Sequence, residues 1–250
     1  MYSVLTAPWQ VDVAPFYLWL PATEGDATIL GRSLSIGTDI GETEATGALG
    51  SLLQLNMGAT GRVEVRKGDL VLTFDLLYLD VGDKTDSPFG SLDLQFEALN
   101  VEFGAGYRLL EWPLGAAGGT PTLAFELLGG GRYVSLKTEA DFDLTAGPIT
   151  TQEELAADVD WLDPFVGARV RLDLSRRLTF VVRGDAGGFG VGTDLTWTVQ
   201  GGVLFHVTPL FSVGVGYRVM DIDYTQGSGL KRFAFDVLLH GPQVGMMFHF

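Results

Sequence analysis

Arginine and carboxylate residues recur at alternate positions through most of this chain, and they share one phase. Arg62, Arg66, Arg108, Arg132, Arg169, Arg171, Arg183, Arg218 and Arg232 all lie in segments where every second residue is apolar. Asp12, Glu64, Asp75, Asp93, Glu97, Glu102, Glu126, Asp173, Asp185 and Asp236 occupy the same polar phase. Successive side chains of an extended strand point to opposite faces, so these residues collect on one face of a sheet. Charges of both signs on an enclosed face must pair, because a lone charge out of water is costly. Such a network either fills a narrow interior or lines a polar path for small solutes or ions.

Other chemistry is thinly represented. The three histidines are His206 and His249, each near a strand end, and His240, ten residues before the terminus. Hydrolysis needs a histidine beside a carboxylate or a serine, and neither is adjacent to His240 in sequence. The glycines of Gly184–Gly190 are spaced like a phosphate loop but lack the following lysine and helix. With no cysteine there is no disulfide framework or thiolate metal site. A net charge of −15 and a pI near 4.4 argue against nucleic acid as a partner. No cofactor and no catalytic residue is expected.

These charges need strands to position them. The chain is 46% hydrophobic with mean hydropathy +0.24, yet no apolar run approaches the ~18 residues of a membrane helix. Its apolar residues are spread over alternate positions instead. Ten such segments run over about 9–20, 54–66, 69–79, 92–109, 122–137, 158–174, 178–188, 195–207, 211–224 and 232–250. Phase slips near Ala98-Leu99 and His240-Gly241 predict β-bulges. The connections at 67–68, 175–177 and 208–210 are short, with 110–121 longer; those at 21–53, 80–91, 138–157, 189–194 and 225–231 are mostly longer. Residues 45–53 read as a turn of helix or a lid. Met1-Tyr2-Ser3 runs almost directly into the first segment, so Met1 reads as standing where a leader was replaced.

Short turns at one end and long loops at the other predict an all-β fold: a transmembrane antiparallel up-and-down β-barrel. About ten strands are expected, eight being the alternative count. Residues 1–250 form a single domain with periplasmic turns and longer extracellular loops. A soluble ligand-binding barrel inverts the faces. The aromatics near strand ends on the apolar face (Trp9, Trp19, Tyr78, Tyr107, Tyr133, Phe211, Tyr217 and Phe248) favour interfacial girdles and hence the membrane. The acids outside the lumen phase, including Glu24, Asp26, Asp39, Glu42, Glu44, Asp83, Asp86, Glu139, Asp141, Asp143, Glu153, Glu154 and Asp158, read as an acidic outer surface. They would also suit divalent cations or bridging to lipopolysaccharide phosphates.

Several stretches, taken in order, look like those of one family of proteins. They are Ala14-Pro-Phe-Tyr-Leu-Trp19, the run from Trp161 to Arg169, Gly184 to Gly190 followed by Asp194 to Trp197, Gly216-Tyr-Arg218, and Gly241 through Phe250. Together they resemble a family of small Gram-negative outer-membrane β-barrel proteins grouped loosely with OmpW-type barrels. That type has eight strands, against ten read here. The resemblance implies the cell outer membrane, with the lipid bilayer and lipopolysaccharide as surroundings. It also implies that barrel-assembly machinery reads Phe248 and Phe250 in the last strand. It carries no substrate. The expected function is a non-enzymatic barrel, either a narrow pore for small solutes or ions or a structural protein with a salt-bridged lumen. The alternatives are a barrel enzyme acting on lipid or peptide at the outer face through His240, and a soluble ligand-binding barrel.

Overall fold

The computed structural model describes residues 7–29, 32–37, 55–87, 90–115, 121–146, 149–227 and 233–250. Its strands are β1 (Trp9–Ala14), β2 (Tyr17–Trp19), β3 (Ala22–Ile29), β4 (Arg32–Gly37), β5 (Leu55–Lys67), β6 (Leu70–Ser87), β7 (Gly90–Pro113), β8 (Thr122–Ala146), β9 (Ile149–Ser175), β10 (Leu178–Gly187), β11 (Leu195–Thr208), β12 (Phe211–Gln226) and β13 (Phe233–His249). Strands β5 to β13 pair antiparallel in chain order, and β1 pairs with both β5 and β13. The sheet therefore closes into a barrel of ten wall strands. The tenth is the broken run β1–β2–β3, and β4 folds back on β3. Residues 45–53 lie outside the described residues.

Register partners climb steadily around the wall. From Asp12 they pass through Glu64, Thr73, Gly104, Gly130, Phe165, Gly187, Thr196, Ile222 and Val237 to Gly25. One circuit thus returns to the first strand well above its starting point. That stagger obliges the strands to tilt by ~40° to the barrel axis.

The broken first strand has a local cause. Prolines donate no ladder hydrogen bond, and Pro15 and Pro21 end β1 and precede β3. The break also inserts a residue, which changes the phase. Trp19 does not join the outer girdle: Tyr17 and Trp19 turn inward and are each 6% exposed, whereas Phe16 faces out. On the next strand, Thr60 Oγ1 accepts from the Tyr17 backbone N–H at 2.8 Å and donates to the Tyr17 carbonyl, in place of ladder bonds between β2 and β5. Opposite the second break lies Gly241, where any Cβ would run into the Leu20 carbonyl. The slip expected at His240-Gly241 is therefore in the partner strand, because β13 pairs with β12 without interruption. Pairing of β6 with β7 is likewise regular through Ala98-Leu99; the irregularity on β7 falls between Arg108 and Leu110.

The outer face is apolar. Leu72, Phe74, Phe103, Val166, Val182, Val199, Val215 and Val244 are all exposed and alternate with buried or half-buried neighbours. Trp9, Tyr107, Trp112 and Phe205 gather toward the end that carries the tight turns, Lys67-Gly68 among them, with Gly68 at φ 59°. In water this surface would cost heavily; in lipid it costs nothing, since the ladder satisfies the backbone. Phe74→Arg is expected to lower stability by about 2–4 kcal/mol if it meets mid-bilayer lipid, as read by urea unfolding from vesicles.

Two connections expected as loops, 80–91 and 138–157, are tall hairpins. Strands β6 and β7 pair up to Ser87 and Gly90, and β8 and β9 up to Ala146 and Ile149. Few residues of 80–87 and 150–154 are apolar, so the hydrophobic alternation is weak in the sequence there, whereas Ala140, Phe142, Leu144 and Ala146 keep it; the ladder continues through both hairpins.

Candidate functional site

The inward face carries the arginines and carboxylates, and it does more than pair neighbours. On β5, β8 and β9, four side chains close a ring of alternating charge. Arg66 contacts Glu126 at 2.5 Å and Glu64 at 2.8 Å, while Arg169 contacts Glu64 at 2.6 Å and Glu126 at 2.5 Å. A second ring lies further from the turns, on β7, β8 and β10. Arg132 contacts Glu102 at 2.9 Å and Asp185 at 2.7 Å, while Arg183 contacts Glu102 at 2.5 Å and Asp185 at 3.0 Å. Both guanidinium groups of this ring lie over Phe165, at 5.5 Å and 5.3 Å. Each carboxylate in a ring meets two guanidinium groups, which is how desolvated charge is held at low cost. Beside the rings, Arg62 contacts Asp75 at 2.5 Å, and the Tyr17 hydroxyl donates to Asp75 at 2.6 Å.

The remaining predicted residues fall elsewhere. Arg108 sits at the turn end with Asp69 and Glu111, and Arg171 pairs with Asp173 at 3.0 Å near the same rim. Arg218 is buried and lies over the Trp19 ring at 4.6 Å. Asp236 is not part of the lumen network: it is exposed on the outer face, opposite Asp223 and Asp26. Glu97 shares the face of Phe103, opposite Asp80 and Lys137. Arg232 lies outside the described residues. Phe248 packs against Phe211, ring centres 5.3 Å apart. Phe250 is exposed, but its backbone exchanges two hydrogen bonds with Val11, at 3.0 Å and 2.8 Å.

Among the described residues, the lumen beyond the rings holds an apolar cluster, which the alternation did not suggest. Tyr17, Trp19, Leu77, Val134, Trp161, Met220, Ile222 and Tyr224 form one buried cluster, with Trp161 stacked on Tyr224 at 4.5 Å. The available signal was consecutive apolar residues, as in Leu76-Leu77-Tyr78-Leu79 and Val237-Leu238-Leu239, where both faces are apolar. Under this plug Asp163, fully buried, accepts from the Thr193 N–H at 2.7 Å, the Thr193 hydroxyl at 2.9 Å and the Trp161 Nε1–H at 3.1 Å. It thereby anchors the turn after β10, in which Gly188, Phe189 and Gly190 all adopt positive φ.

Toward the turns the lumen opens. A vestibule of about 900 Å³ reaches up to Arg66 and Glu126. A cavity of about 190 Å³ lies above it, against the glycines Gly202, Gly214, Gly216 and Gly245. Asp12 and Arg171 line both spaces. At that neck runs a hydrogen-bonded belt. Asp12 meets His249 Nδ1 at 2.7 Å, and His249 Nε2 meets Ser212 Oγ at 2.6 Å. Ser212 Oγ meets His206 Nδ1 at 2.7 Å, His206 Nε2 meets Thr179 Oγ1 at 3.1 Å, and Thr179 donates to Asp173 at 2.6 Å. No sequence motif joins these residues; only the register puts His206 opposite Ser212 and His249 opposite Asp12. Carboxylate, imidazole and hydroxyl in this order resemble an activated serine. Ser212, however, is fully buried and its oxygen is shared by two imidazoles. His240 faces the outside instead, with Nδ1 2.7 Å from the Tyr217 hydroxyl and Nε2 3.5 Å from Glu24. Among the described residues no group of three or more His, Cys, Asp or Glu could hold a metal ion.

A closed barrel with an apolar outer belt, a charged interior and tight turns at one end defines the class: an outer-membrane β-barrel. One solved structure agrees on the fold, and two more are weaker likenesses. The outer membrane protease OmpT from Escherichia coli matches with TM-score 0.52 and 9% identity, over 97% of this chain and 96% of that chain. The translocator domain of the autotransporter NalP from Neisseria meningitidis matches with TM-score 0.38 and 12% identity, over 100% and 91%. Ail of Yersinia pestis matches with TM-score 0.32 and 10% identity, over 98% and 99%. No family model and no curated protein matches the sequence.

Proposed function

We propose that the chain is a non-enzymatic outer-membrane barrel with a sealed lumen, a structural element of the membrane. The observation that supports this is the stacking of two closed arginine–carboxylate rings beneath an apolar plug. Ions crossing it would have to break desolvated pairs and then pass aromatic side chains. Single-channel recording in a planar bilayer tests the reading: wild-type protein is expected to give no steady current steps. Steady steps would replace it with a narrow pore for small solutes or ions. The vestibule and cavity, which share Asp12 and Arg171, would then be its path. An enzyme acting at the outer face has less support, since His240 lies on the exterior wall with a single distant carboxylate.

The surroundings follow from the same reading. The bilayer and lipopolysaccharide face the outer wall, and the acidic hairpins keep divalent cations as a proposed partner. Kinship with OmpW-type barrels rests on the sequence stretches alone. Barrel-assembly machinery is proposed to read the last strand through Phe248 and Phe250. Deleting Phe250 removes two backbone hydrogen bonds at the barrel's closing seam but little buried area. The truncation is expected to refold in detergent with a modest loss of stability, and to accumulate in the outer membrane at several-fold lower levels. Normal levels in fractionated cells would count against this role for the terminus.

A further inference from the structure

Five hydrogen bonds in a row need five protons, and the neutral belt brings only four. The row runs Asp12, His249, Ser212, His206, Thr179, Asp173. Ionised carboxylates at its two ends contribute no proton. Asp173 is further held as an acceptor by Arg171 Nε at 3.0 Å and 3.2 Å. Each neutral imidazole contributes one N–H, and each hydroxyl one O–H. One contact of the row would therefore set two lone pairs against each other. The conflict falls on Ser212, whose single proton faces His249 Nε2 at 2.6 Å and His206 Nδ1 at 2.7 Å. A catalytic serine would not share its oxygen between two rings in this way.

One added proton resolves every contact in a single direction. His249 then donates to both Asp12 and Ser212. Ser212 donates to His206, whose Nε2–H donates to Thr179, and Thr179 donates to Asp173. We propose that this belt is a built proton site, which loads one proton beyond those of two neutral imidazoles when the barrel closes. The inference is independent of whether the lumen conducts. The belt joins six adjacent wall strands, β9 to β13 and β1, and so includes the seam between the chain's two ends. Ser212 and Thr179 are almost fully buried, which shields the row from competing water.

The site lies where it can sense the periplasm, at the neck between vestibule and cavity. Asp12, Asp173 and Arg171 face it from β1 and β9. Across the vestibule stand Arg66 and Arg108 with Glu111 and Glu126, and Arg176 and Arg177 lie on the neighbouring turn. Release of the proton would leave two acceptors in contact at the seam and loosen the neck.

Linkage gives the sign. Above the ordinary histidine range, where both histidines of the unfolded chain are mostly neutral, the folded state holds more protons on these groups, so stability there falls as pH rises. In urea unfolding of the full chain in vesicles between about pH 6.5 and about pH 9, the wild-type folded-to-unfolded ratio is expected to fall by up to about tenfold per pH unit. Ser212→Ala removes the shared oxygen and is expected to flatten that dependence. An unchanged slope in Ser212→Ala overturns the proposal. Should the variant not fold, nitrogen-15 NMR of the wild-type histidines decides. Near pH 7.5 one ring is expected doubly protonated and the other neutral with its proton on Nε2. Two neutral rings overturn the proposal.

Discussion

Arg132→Ala is expected to lower the unfolding free energy by about 3–5 kcal/mol, a large fraction of a typical barrel-sized margin. Arg132 is fully buried and holds Glu102 and Asp185 from opposite sides. Its loss leaves two desolvated carboxylates sharing the single cation of Arg183, so the cost comes from the stranded charges more than from the missing contacts. The double variant Arg132→Met, Asp185→Leu leaves Arg183 paired with Glu102 and apolar bulk around Phe165. It is expected to cost less than Arg132→Ala alone, because removing a buried pair together is often nearly neutral. Urea unfolding of the three proteins in vesicles checks the order. A double variant weaker than the single one would mean that ring geometry, rather than charge balance, holds this layer.

Asp163→Ala is expected to cost about 3–5 kcal/mol, since it strands three buried donors at ~1–3 kcal/mol each before any relaxation. These are the Thr193 N–H, the Thr193 hydroxyl and the Trp161 Nε1–H. It should also release the turn after β10. Left-handed backbone is unfavourable for a non-glycine such as Phe189, at φ 51°, and persists only while its surroundings hold it. Limited proteolysis is therefore expected to cut near Phe189 in the variant and not in the wild type. Asp163→Asn keeps one acceptor and should fall between the two. An uncut turn in Asp163→Ala would show that the turn holds itself.

The wall was legible in the sequence because lipid on one side and charge on the other impose period 2 over many residues. Nine of the ten wall strands follow the expected segments, with ends that differ where few residues of the sequence are apolar, as just after Asp80. The first strand was misread because Pro15 shifts the phase by one residue, carrying Trp19 from the expected outer face to the inner one. Contacts between adjacent strands, such as Arg62 with Asp75 and Glu126 with Arg169, follow once the register is known. The ring contacts Arg169–Glu64 and Arg183–Glu102 cross the lumen between strands that are not neighbours, and alternation holds no information about that distance. Asp236 was misplaced for a simpler reason: the polar phase beyond the lipid belt also faces water outside.

The wall strands β5 to β13 are joined by hairpins, so each pairing closes only a short length of chain. The exception is the set that joins β1, β2 and β3 to β13, where Asp12 meets His249 and Thr23 meets Leu239. Those pairings close a loop of nearly the whole chain, and their entropy must be surrendered before the contacts reward it. In folding kinetics, hairpin propagation should therefore run ahead of ring closure. The slow phase would then belong to the fragment through Pro21, which carries Pro15 and Pro21 and pairs with β5 over Trp9–Ala14 alone. A barrel halted at that step would be a curled sheet with two free edges, and the residence time of that species would set how readily it pairs with a second copy before it shuts.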